Sequence, residues 1–134
     1  MIIIRLWHQF LISKLPRQQL LGQHRECCAL RGAGWGRRHS VVNYVFEHDP
    51  ALLVAYHCIV MQEMVNRGYN PDPIWKDPLY RGKVLKRQDN WCDPTFVEEL
   101  YYVTKSEGIT IYPEHDEAYL KECIENLKEK GIEI

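Results

Sequence analysis

Nothing in the 134 residues approaches the roughly 18 consecutive apolar residues needed to span a bilayer, so no helical membrane span is expected. The five cysteines are odd in number, Cys27 and Cys28 are adjacent, and no Cys-x-x-Cys occurs. A disulfide framework and a zinc ribbon are thereby excluded, leaving small apolar cysteines packed in a reducing compartment. Neither Gly-x-Gly-x-x-Gly nor Gly-Lys-Ser/Thr is present, so the glycines at 32, 34 and 36 do not make a nucleotide-binding loop by themselves. Internal repeats and low-complexity tracts are also missing. The apolar opening Met-Ile-Ile-Ile is interrupted by Arg5 and His8 and has no basic n-region or small-residue cleavage site. It is therefore not expected to be a signal peptide, and the protein is read as cytoplasmic.

What is present is an ordinary globular composition, 46% apolar and 26% charged. A chain of this length should bury roughly two-thirds of its unfolded surface, enough for one core without a metal or disulfides. The net charge of −1 hides a division. Residues 1–89 carry 13 Lys/Arg against 7 Asp/Glu, and residues 90–134 carry 4 against 11. A basic region followed by an acidic one can form an anion-binding face beside an acidic helix that opposes a polyanion or pairs with the basic part. Two independently solvated faces are the alternative.

Punctuation residues divide the chain into helices. Leu15-Pro16 and the helix formers up to Gly32 predict a first helix over about 16–31. Asp49-Pro50 predicts a cap for a long apolar helix over Ala51–Arg67 that ends at Gly68. Asp93-Pro94 repeats the signal for a helix to about Ser106, followed by Gly108 and a short extended piece at Ile109–Tyr112. Pro113 is read as the start of a last helix that runs to Lys130 and stops at Gly131. The expected fold is mostly α, a compact single-domain helical fold with long ordered loops, covering residues 1–134.

Within the first helix, Leu20, Leu21, Cys27 and Cys28 make an apolar side, while Gln18, Gly22, Arg25, Glu26 and Ala29 turn elsewhere. Glycine inside a helix costs roughly 0.5–1 kcal/mol relative to alanine. Gly22, one turn before Glu26, therefore marks either a low surface on which a ligand reaches the carboxylate or close packing by another helix. The Gly-rich loop after this helix delivers Arg37-Arg38-His39 to a helix start, an arrangement that favours phosphate. On the long apolar helix, His57 and Cys58 read as core residues rather than ligands. Between Tyr69 and Trp91, basic residues alternate with Trp75, Tyr80 and Trp91; such a loop either follows a nucleic-acid backbone or is pinned to the body by its aromatics.

The run Leu15-Pro16-Arg17-Gln18-Gln19-Leu20-Leu21-Gly22-Gln23-His24-Arg25-Glu26 resembles the start of the pyrimidine-dimer DNA glycosylase family, the small phage endonuclease V type and its short bacterial relatives. The Leu-x-x-Gln-x-Leu spacing leads to an Arg-Glu pair, and the His39 helix is similarly placed. The long helix closes on Asn66-Arg67-Gly68-Tyr69-Asn70, similar to the family's Lys-Arg-Gly-Phe-Asn. The resemblance covers about residues 11–73 and fades in the C-terminal third. It implies a compact helical fold and a glycosylase with lyase activity on damaged or abasic double-stranded DNA. The nucleophile would be the N-terminal α-amine, and Glu26 would stabilise the cationic sugar and move protons. Arg5, Arg25, Arg31, Arg37, Arg38 and His39 are the expected DNA contacts.

The chain departs from the phage pattern at the reacting group. The phage enzymes expose a Thr after Met removal, whereas here Ile2 follows Met1 and is too bulky for ordinary excision. The amine is that of Met1, or of a start nearer Ile4-Arg5, or the lyase chemistry is lost; Lys14 is a distant internal substitute. A non-catalytic DNA-binding protein of the same fold is the alternative from another class. A metal-dependent hydrolase built on His24, Glu26, His39 or His57 lacks a recognised ligand spacing, so no metal and no cofactor is expected.

Overall fold

The computed structural model describes residues 6–32 and 43–134. It is mostly α, as expected, and no β-strand is found among the described residues. The described residues form five α-helices, in order α1 (Arg17–Arg31), α2 (Asn43–Glu47), α3 (Pro50–Asn66), α4 (Pro94–Glu107) and α5 (Glu117–Glu129). Short 3-10 turns at Gln9–Lys14 and Pro73–Lys76 complete the set. The helix starts follow capping chemistry. Asp49 and Asp93 each accept a hydrogen bond from the main chain two residues on, with Pro at the first helical position. Gly108 ends α4 in the left-handed conformation, at φ 66°.

Helix α3 is the centre of the molecule and packs against both α1 and α4. Leu53, Val54, Tyr56 and Val60 of α3 are buried against Leu20, Cys27 and Leu30 of α1, Val97 of α4, and Cys123 and Leu127 of α5. All five cysteines are free thiols, and Cys27 and Cys123 are wholly buried. None of the described helices is long and apolar enough to cross a membrane.

The last helix starts four residues later than its proline signal. Pro113 lies in a turn that His115 closes by donating its N–H to the Tyr112 carbonyl at 3.0 Å. Asp116 is the cap, accepting from Tyr119 N at 2.8 Å. The buried His115 ring causes the delay. Its Nδ1 accepts the Gln9 N–H at 3.1 Å and its Nε2 meets the Tyr44 hydroxyl at 2.8 Å, contacts that hold the turn before α5 against the start of the chain. Nor does Ile109–Tyr112 pair with a strand. The side-chain amide of Gln9 takes that place, donating to the Ile109 carbonyl at 3.0 Å and accepting the Ile111 N–H at 2.7 Å.

The segment from Tyr69 to Trp91 is an ordered loop whose aromatics pin it to the body. Trp75 stacks edge-on against Tyr80 with ring centroids 4.8 Å apart. The Arg31 guanidinium lies 5.1 Å from the centre of Trp75, and that of Arg81 lies 4.5 Å from the centre of Trp91. An antiparallel bridge between Tyr80 and Arg87 ties the loop's two arms.

Candidate functional site

Helix α1 carries two polar clusters that point away from each other. The first surrounds Glu26. A cavity of about 220 Å³ is lined by Trp7, Gly22, Gln23, Glu26, Asn126 of α5 and Lys130 just after it. Its floor is low because Gly22 has no side chain: a Cβ there would meet only the end of Arg25's guanidinium, at 3.8 Å. Among the described residues no helix packs over Gly22, which agrees with the open surface and not with close packing.

Gln23 joins this cavity to the start of the chain. It is buried, and its Oε1 accepts the Trp7 N–H at 2.6 Å. Its Nε2 is thereby directed towards Glu26, donating to Oε2 at 3.3 Å. The Tyr56 hydroxyl from α3 donates to the Trp7 carbonyl at 2.6 Å and stands 2.9 Å from Gln23 Oε1. From the other flank, Tyr119 of α5 donates to the Leu6 carbonyl at 2.6 Å. Leu6 and Trp7 are thus held by hydrogen bonds to α1, α3 and α5 beside the carboxylate. No sequence rule marked Gln23, because a glutamine in a polar helix stretch carries no sign that it will be buried.

The second cluster lies around Arg31, which is fully buried and not on the surface where a phosphate contact was expected. It donates to the main-chain carbonyls of Trp75, Asp77 and Tyr80 at 2.9, 2.7 and 2.8 Å, and to Nδ1 of His57 at 3.0 Å. Arg31 is therefore corrected from a DNA contact to the anchor of the 73–80 segment, a role its position as the last residue of α1 allows.

A guanidinium has only donors, so the His57 Nδ1 must accept and the proton of this neutral imidazole sits on Nε2. From there it points to His24 Nδ1 at 2.8 Å. The remaining His24 nitrogen, Nε2, faces Cys28 Sγ at 3.8 Å. Burial lowers the pKa of His57 well below its ordinary value, with the Arg31 charge adding to the effect, and burial also lowers that of His24, with the charges of Arg25 and Arg31 adding to it. Burial pushes the Cys28 thiol up to about 11. The cluster is uncharged at neutral pH apart from Arg31.

The ligand atoms of His24, Cys28 and His57 all lie within 4.8 Å of one another, close enough to hold one ion. This is not the set considered from sequence, since Glu26 belongs to the other cluster. His24 and His57 were among the residues considered, whereas Cys28 was not, although its place one turn after His24 on the same helix was a readable signal.

The remaining expected contacts divide. Arg25 is exposed beside Gly22. Met1, Arg5, Arg37, Arg38 and His39 lie outside the described residues. Lys14 is exposed at the end of the first 3-10 turn and does not line the Glu26 cavity, whereas Lys130 does. Among the described residues, no Lys or Arg of the basic region forms an ion pair with an acid of residues 90–134, and the one bridge across that boundary is His48 to Glu114 at 2.9 Å.

A family model described as pyrimidine dimer DNA glycosylase matches residues 4–77, more than half of the chain. The match includes all of α1 and α3, and with them both clusters except Tyr80, Tyr119, Asn126 and Lys130. No curated protein and no solved structure matches the chain.

Proposed function

The chain belongs to the pyrimidine dimer DNA glycosylase family, and from that premise we propose that it removes a damaged base from double-stranded DNA and then cleaves the strand through an imine. The nucleophile in this reading is the α-amine of the chain's first residue. An α-amine has a pKa of about 7.7–8.0 against about 10.4 for lysine, so its neutral fraction near pH 7 is several hundred-fold larger. Its nitrogen bonds to sugar C1′ as the C1′–N bond to the base breaks, and the base departs with a proton; the sugar ring then opens at C1′–O4′, O4′ taking up a proton as the nitrogen gives one up, and C1′ and the nitrogen become the imine. The imine then allows β-elimination of the 3′ phosphate. Glu26 stabilises the cationic sugar and moves the protons.

The observation that carries this reading is the cavity in which Glu26 and Trp7 share a wall over Gly22. Trp7 is hydrogen-bonded to Gln23, itself bonded to Glu26, and this supports a reading in which the residues before Leu6 reach the carboxylate from there. Arg25, exposed at the rim, and the basic cluster Arg37, Arg38 and His39, with Arg5, serve as phosphate contacts in this proposal. The exposed cavity wall leaves room for a sugar drawn out of the duplex.

Borohydride added during incubation with abasic-site duplex DNA tests the proposal. Reduction of the imine is expected to leave a covalent protein–DNA adduct, and peptide mapping to place it on the first residue of the mature chain. Acetylation of the terminus should abolish trapping, while Lys14→Ala should not. An adduct that survives acetylation and maps to Lys130 moves the chemistry to the lysine of the same cavity. No adduct with DNA binding intact identifies a non-catalytic DNA-binding member of the family.

A further inference from the structure

The second cluster on α1 has no part in the reaction above, and its donor atoms form a compact set. His24 and Cys28 stand one turn apart, and His57 reaches across from α3 so that its Nε2 is 2.8 Å from His24 Nδ1 and 3.9 Å from Cys28 Sγ. We propose that His24, Cys28 and His57 form a binding site for a borderline-soft divalent metal ion of the zinc type. Two imidazole nitrogens and one thiolate suit zinc, cobalt or copper and discriminate against magnesium and calcium, which require oxygen ligands.

Three protein ligands leave a fourth tetrahedral position. His57 is wholly buried, while His24 and Cys28 are only half-buried, so the open position faces the solvent side. Binding has a definite proton balance. Cys28 gives up its thiol proton to solvent, and the proton between His57 and His24 leaves His57 Nε2, which becomes the ligand atom, and moves to His57 Nδ1. The Arg31 N–H that now donates to Nδ1 must then turn away, though Arg31 keeps its three carbonyl acceptors. Its positive charge also opposes a dication. These two costs make the site an exchangeable one, unlike a closed structural zinc centre, so a chelator should strip the ion without unfolding the protein.

Cobalt titration of the chelator-treated, reduced full chain provides the test, because a cobalt–thiolate bond absorbs in the near ultraviolet. One equivalent of Co²⁺ is expected to give this charge-transfer band, and Zn²⁺ to bleach it. Cys28→Ser should remove the band. His24→Gln should weaken Co²⁺ binding by at least about tenfold, since losing a ligand costs no less than disturbing an outer hydrogen-bond partner of one. Cys58→Ser and Cys92→Ser should change nothing. A band that survives Cys28→Ser, or no band from the folded chain, overturns the proposal. If a variant fails to fold, alkylation of the unaltered chain gives the same answer: Zn²⁺ should protect Cys28 from iodoacetamide, and equal labelling with and without Zn²⁺ overturns the site. Neither readout depends on the glycosylase reading, so each can fail without the other.

Discussion

On the Glu26 side of α1 a carboxylate is kept beside an open cavity with a neutral amide, Gln23, as its hydrogen-bond donor; on the Arg31 side a cation is buried and every neighbour is made neutral. The difference follows from solvent. Water reaches Glu26 over Gly22, whereas His57 is wholly enclosed, and burial disfavours any second charge beside Arg31. Two residues five positions apart in one helix therefore sit in opposite environments. Glu26 lines a solvent-open cavity, and Arg31 directs its donors to the carbonyls of a loop.

The largest expected effect tests the first side. Glu26→Gln should lower single-turnover base release by about 10²–10⁴-fold, the usual contribution of a positioned acid–base group, with little change in melting temperature. An unchanged rate with a lowered melting point would make Glu26 a structural residue and erase the contrast.

Arg31→Met tests the second side. It leaves three carbonyls without their donor, each worth about 1–3 kcal/mol when buried, and should cost about 3–5 kcal/mol in denaturant unfolding. Its effect on DNA binding should be free of any change in salt dependence. If stability held while the log–log salt slope fell by about 0.9, Arg31 would be a phosphate contact after all.

A pH titration sharpens the comparison by adding the clamp on the chain's beginning. Burial lowers the pKa of His115 to about 3, below the ordinary 6.5. The unfolded chain thus binds the proton more tightly, so this contribution to stability is full above pH 6.5 and is lost as pH falls towards 3. At about 1.4 kcal/mol per pKa unit, the loss amounts to a few kcal/mol. His57 and His24 add losses of the same sign. His115→Gln should flatten the acid limb of the stability curve; an unaltered limb would assign the acid sensitivity to the Arg31 cluster alone.

The smallest effect belongs to Gly22→Ala. Its Cβ would make only ordinary contact with the Arg25 side chain, so helix propensity should raise stability by about 0.5–1 kcal/mol. The same methyl group fills part of the cavity floor and should raise KM for abasic DNA. Destabilisation instead would mean that close packing requires the glycine.

Helix positions were largely readable because their causes are local. Asp49-Pro50, Asp93-Pro94, Gly68 and Gly108 act through hydrogen bonds and dihedral preferences within a few residues, and α1, α3 and α4 begin and end within a residue or two of those signals. The start of α5 was misread because the competing influence was distant. His115 is held by Gln9 and Tyr44, which lie 106 and 71 residues before it. Glu26 and Gly22 were found as a pair from their one-turn spacing. Gln23, Asn126 and Lys130 were not, since their meeting with Trp7 depends on how α5 and the start of the chain dock on α1.

Helicity, the free cysteines, the family's Arg-Glu pair and the polar side of α1 were all present in the order of the residues, because composition, capping and periodicity act over one or two turns. The fate of each charge was not. Arg25 and Arg31 are the same residue type six positions apart in one helix, yet one is exposed at a cavity rim and the other is enclosed by carbonyls from 44 to 49 residues downstream. Solvation energy depends on what packs over a side chain, and that is set by long-range contacts that no local pattern encodes.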